Sequence, residues 1–73
     1  MAGQPQDQAA AFFLERKGIY DAQLRDITKL DGHDCWYYVF DLEEDERAAG
    51  TIELEVEWTG EEWSTRVTTF LPA

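Results

Sequence analysis

The chain has a single cysteine, Cys35, so it can form neither an internal disulfide nor a cysteine-based four-ligand zinc site. No apolar run approaches the roughly 18 residues of a membrane span. No basic and apolar leader stands at Met1. A reduced, cytoplasmic setting is the expectation. Basic residues are scarce: six Lys and Arg oppose 16 Asp and Glu, for a net charge of −10. Such a field repels nucleic acid and anionic membranes and attracts basic proteins. No Gly-rich loop is present to cradle a phosphate, and no cofactor is implied. At 73 residues the chain forms one domain with one small core. A domain of this size without staples depends on packing, and three Trp, three Tyr and four Phe supply large buried areas from few residues.

The stretch with the clearest pattern is 51–59, TIELEVEWT. Ile52, Leu54, Val56 and Trp58 alternate with Glu53, Glu55 and Glu57. Successive side chains of a strand point to opposite faces, so this is a half-buried strand. One face belongs to a core. The other carries three carboxylates spaced about 6.8 Å apart, the rise of two strand residues.

Residues 1–5 are small and polar and are expected to be disordered; 6–73 form the domain. A helix is predicted over about 6–17. Asp7 near its start and Arg16 and Lys17 near its end complement the helix dipole. Ala10, Phe13 and Leu14 share a stripe with Phe12 at its edge, and Gly18 stops the helix. Residues 22–30 read as a strand with a bulge near Arg25–Asp26. The spacing of three between Leu24, Ile27 and Leu30 keeps a second short helix as the competing reading. DGHD at 31–34 is a hairpin turn signal, and 35–42, CWYYVFDL, is a strand. Residues 43–50 read as a polar loop closed by Gly50, 60–62 as a turn and 63–71 as the last strand.

Placing Trp58 opposite Trp63 pairs Val56 with Thr65, Leu54 with Val67 and Ile52 with Thr69. On the other face it pairs Glu57 with Ser64, Glu55 with Arg66 and Glu53 with Thr68. This register keeps apolar residues together. The fold class is therefore α+β, one N-terminal helix packed on a four-stranded antiparallel meander. The helix covers the face of Trp36, Tyr38, Phe40, Leu54, Val56, Trp58 and Val67.

Little in the chain suggests catalysis, and the reading is non-enzymatic. His33 and Cys35 lie two apart at a turn with no third group to orient them, which fits a turn histidine beside a half-buried cysteine. The carboxylates lack an apolar pocket to raise one pKa. DLEEDE at 41–46 lacks the glycine and ligand spacing of a calcium loop, so no metal site is assigned. Aromatic stacking platforms for single strands lie in positive grooves, and this field is negative.

What remains is an acidic surface. Residues 41–62 hold ten acidic residues against Arg47 alone. The candidate partner-binding residues are Glu43, Glu44, Asp45 and Glu46 in the expected loop and Glu53, Glu55 and Glu57 on the strand, flanked by Tyr37 and Val39. Charge steers an encounter and aromatic contact holds it. In size, net charge and lack of an active site, the chain resembles small phage-encoded inhibitors of nucleic-acid-binding machines, the anti-CRISPR and DNA-mimic proteins. The resemblance rests on composition and the 41–62 cluster. It implies a protein that occupies a Lys/Arg-lined nucleic-acid channel of a host complex. A duplex presents a charge every ~1.7 Å of axis, so the sparser Glu ladder would need help from 43–46. The alternative is a small structural sheet module that homodimerises through the outer face of 35–41, its acidic face serving only solubility.

Overall fold

The computed structural model describes residues 4–73. One helix, α1 (Pro5–Arg16), precedes four strands, β1 (Ala22–Lys29), β2 (Cys35–Glu44), β3 (Arg47–Trp58) and β4 (Trp63–Pro72). The strands form one antiparallel sheet in the order β1-β2-β3-β4. This is the α+β meander that the residue pattern predicts, and 22–29 is a strand. Of the segment 1–5, expected to be disordered, residues 1–3 lie outside the described residues. Gln4 caps α1, and Pro5 is its first residue.

Proline suits that position because the first helical N–H needs no partner. The Asp7 carboxylate reaches back to accept the Gln4 backbone N–H at 3.1 Å. Its other oxygen accepts the hydroxyl of Tyr38, a core residue of β2. Asp7 therefore both caps the helix and ties it to the sheet. At the far end Gly18 takes φ 76°, in the left-handed region. Ile19 N–H donates to Leu14 O and Gly18 N–H to Glu15 O, the crossed pair that closes a helix and turns the chain toward β1.

The core lies between α1 and the two central strands. Ala10, Leu14, Tyr38, Phe40, Ile52, Leu54 and Val56 are buried, with Phe13, Ile19, Trp36 and Trp63 packed around them. The expected inner face is only partly covered. Tyr38, Phe40, Leu54 and Val56 are buried, but Trp58 is 37% exposed and Val67 43%. A 12-residue helix is about 18 Å long. It cannot shield the full width and length of a body measuring 39 Å along its longest axis.

Three irregularities decide which side chains share a face. In β1, Leu24 pairs with Phe40 and Asp26 with Val39, leaving Arg25 as the extra residue of a bulge. The bulge puts Leu24 and Ile27 on one face despite their spacing of three. Arg25 pairs with Asp41 through Nη2 at 2.7 Å and Nε at 3.1 Å.

The second irregularity corrects the expected loop at 43–50. β2 and β3 remain paired out to Glu44 and Arg47, with Ala49 as an extra residue. Only Asp45 and Glu46 form the turn, with φ of 52° and 62°. Two consecutive left-handed residues make the primed turn whose twist matches a hairpin. Backbone pairing carries this extension, because polar Glu43 and Glu44 opposite Ala48 and Arg47 show no apolar alternation to read. Gly50 lies within the strand rather than closing a loop. A Cβ there would lie 2.6 Å from Leu71 O.

The third lies in β4. Trp58–Trp63, Glu57–Ser64, Val56–Thr65, Glu55–Arg66 and Leu54–Val67 pair as expected. Beyond them Glu53 meets Thr69 and Ile52 meets Phe70, not Thr68 and Thr69. Thr68 is the extra residue, and its hydroxyl donates to Glu53 O at 3.2 Å and Glu53 Oε1 at 2.7 Å. A polar side chain satisfied locally stabilises a break in register that apolar alternation does not encode.

Candidate protein-interaction face

The helix covers one face of the sheet, and among the described residues nothing packs over the other. β2 contributes Cys35, Tyr37, Val39 and Asp41 to this open face. β3 sets Glu57, Glu55, Glu53 and Thr51 directly opposite them. The structure therefore brings five of the candidate residues, Tyr37, Val39, Glu53, Glu55 and Glu57, into adjacent rows.

The three ladder carboxylates are not equivalent. Glu55 Oε1 accepts Arg66 Nε at 2.8 Å, and Glu55 Oε2 accepts the Tyr37 hydroxyl at 3.1 Å. The Arg66 contact, aided by Tyr37, holds the Glu55 carboxyl below its ordinary range against the opposing effect of burial. In return the carboxylate raises Arg66. The phenol of Tyr37, donating to Glu55, is pushed up to about 12. Glu53 accepts from Thr68. Glu57 has no hydrogen bond or ion pair among the described residues and stands exposed. Glu55 is thus paired with a cation in place, whereas Glu53 and Glu57 have no ion pair among the described residues.

Glu43, Glu44, Asp45 and Glu46 are exposed, but they occupy the β2–β3 tip. Glu44 lies five strand residues from Val39, roughly 17 Å away. The opposite end of the sheet holds the β1–β2 and β3–β4 turns, with Asp31, Asp34, Glu61 and Glu62. The acidic stretch 41–62 therefore forms a line running the length of the sheet rather than one compact patch.

Cys35 is buried, and its thiol contacts Tyr37; burial, then Glu55, raises its pKa. A raised thiol pKa opposes nucleophilic chemistry. Among the described residues no group of three or more His, Cys, Asp or Glu is placed to hold a metal. No described helix is long and apolar enough to cross a membrane.

Two features escape the residue pattern. The Asp7–Tyr38 hydrogen bond joins residues far apart in sequence, and only the docking of α1 on the sheet creates it. The tryptophans also converge. Trp63 lies 5.2 Å from Trp58 and 5.7 Å from Trp36 between ring centroids. The signal for this was available in the meander itself, since its first and third turns must fall at one end.

No known protein family, curated protein or solved structure matches the chain.

Proposed function

We propose that the chain is a non-enzymatic, cytoplasmic binding protein whose open sheet face blocks or adapts a basic, nucleic-acid-binding partner, in the manner of an anti-CRISPR or DNA-mimic inhibitor. One observation carries this reading. A sheet face that no described element covers presents Glu53 and Glu57 as charges around an ordered Tyr37–Glu55–Arg66 group. Ordered side chains lose little entropy on contact, and the summed field along β3 and both ends of the sheet raises the encounter rate with a basic surface. With Glu55 paired, the ladder is sparser than the phosphates of a duplex. The occupant is therefore a Lys/Arg-rich protein surface engaged at several points, including the 43–46 tip.

The test compares two double variants of equal charge change, Glu53→Gln/Glu57→Gln on the face and Glu15→Gln/Asp21→Asn away from it. Affinity for octa-arginine is measured for both at low and high salt. The face variant should lose more affinity, mainly through slower association, and the loss should shrink at high salt, where screening is stronger. Equal losses would show that only total charge matters and would remove the face as a site.

A second reading is a homodimerising sheet module that pairs through the outer face of 35–41 and whose charge serves solubility; Val67, Phe70 and Leu71, exposed on the edge strand β4 at 43%, 50% and 61%, offer such a module a further apolar contact. Sedimentation across a concentration series checks it, with a concentration-dependent dimer as the outcome in its favour.

A further inference from the structure

We infer that the three tryptophans form a receptor for an arginine side chain of the partner. The inference rests on the proposal that the partner is basic, and it names a contact which that proposal does not contain. At the end of the sheet opposite the 43–46 tip lies an open cleft of about 410 Å³, lined by Pro5, Gln6, Asp34, Trp36, Trp58 and Trp63. The sheet builds it. Trp36 on β2 and Trp58 on β3 face the helix side, and Trp63, opposite Trp58 on β4, contacts both. The backbone bond from Trp58 N to Asp34 O at 2.8 Å fixes the β1–β2 turn against the end of β3 and sets Asp34 at the cleft.

A cluster of indoles beside an acidic residue suits a cation. Aromatic rings attract cations through their negative faces, Trp most strongly, and the planar guanidinium of arginine can stack on a ring while donating to a carboxylate. The molecule already uses one ring in this way, with Lys29 Nζ lying 5.5 Å from the Trp36 centroid. That ammonium also donates to His33 O. The Asp34 carboxylate has no hydrogen bond or ion pair among the described residues. The surrounding charge agrees: Asp31, Asp34, Glu57, Glu61 and Glu62 gather at this end of the sheet, against Lys29 and His33. An uncharged apolar side chain would gain nothing from Asp34, and an acidic one would be repelled. A purely hydrophobic partner would be better served by the β4 edge.

The experiment follows the three indole N–H signals and the β3 amides by NMR during titration with octa-arginine. The indole signals should shift saturably together with the β3 amides. Asp34→Asn, a change at an exposed side chain, should weaken binding roughly 3- to 10-fold, and Trp58→Leu by a similar factor, whereas Trp58→Phe retains part of the affinity. Shifts of the β3 amides with the indoles unmoved would overturn the tryptophan receptor and leave the acidic face standing. Indole shifts with the β3 amides silent would do the reverse. Silence in both sets would remove both readings. Indole shifts that persist at full affinity in both Asp34→Asn and Trp58→Leu would also overturn the receptor.

Discussion

The two faces of β2 and β3 come from the same residues in alternation, yet different forces hold them. On the helix side Leu54 and Val56 have no exposed surface, and Tyr38 is nearly as buried. Order there comes from apolar area removed from water, which is non-directional and tolerates a polar group only where it is satisfied. On the open side Glu55, Tyr37, Arg66, Glu53 and Thr68 are ordered by directed hydrogen bonds in contact with solvent. Substitutions on the first face should therefore act on folding. Substitutions on the second should act on recognition.

The strongest way to test this contrast is to truncate each side of the hydrophobic face. Leu54→Ala should destabilise by about 2–5 kcal/mol, the range for a buried leucine. Trp58→Ala, removing a larger but 37% exposed side chain, should cost less than Leu54→Ala. Urea unfolding of both variants checks the order. A larger cost at Trp58 would show that the tryptophan cluster, and not the helix-covered centre, is the main core.

The next effect concerns the link between helix and sheet. Tyr38→Phe removes the hydroxyl that donates to Asp7 and should cost about 1.5–3 kcal/mol, as for a hydrogen bond to a charged group. Asp7 also caps α1, so hydrogen exchange in the first helical turn should rise in this variant. No change in protection would mean that the helix docks by apolar contact alone.

The turn at Asp45–Glu46 offers a smaller effect of opposite sign. Glu46 holds a left-handed φ of 62° with a side chain that disfavours it. Glu46→Gly should stabilise by about 1 kcal/mol, since glycine adopts that region without steric cost. A thermal melt suffices, and destabilisation would contradict the two-residue turn.

The smallest effect lies on the open face. The folded state lowers the pKa of Glu55, so its contribution to stability is present above the ordinary carboxylate range. It is lost as pH falls through the lowered value. Tyr37, raised to about 12 from an ordinary value of 10, contributes below pH 10 and loses its contribution as pH rises toward 12. Arg66→Gln should flatten the acid side of the stability profile without altering the fold. An unchanged acid limb would show that the pair is not formed in solution.

Much of the architecture was legible because two periodicities write it into the chain. Ile52, Leu54 and Val56 alternate with glutamates, and a one-residue slip of a strand with that pattern would expose its apolar side. Leu24 and Ile27, at spacing three, fit a strand once a bulge near Arg25–Asp26 absorbs the mismatch, and the structure, not the spacing, excludes the competing short helix. The candidate face was legible in part. The identity of its rows followed from alternation, whereas the pairing of Glu55 with both Tyr37 and Arg66 needed three strands in register at once.

By itself the sequence determined the helix and its stop at Gly18, the four strands, and the separation of carboxylates from apolar side chains, because local propensity and side-chain period act along the chain. The tertiary structure decided how far β2 and β3 extend past Leu42, where Thr68 breaks the register, which carboxylates stay unpaired, and that Trp36, Trp58 and Trp63 meet. Each of these depends on backbone hydrogen bonds or contacts between strands. Such interactions join residues on different strands, and local propensity and side-chain period carry no information about them.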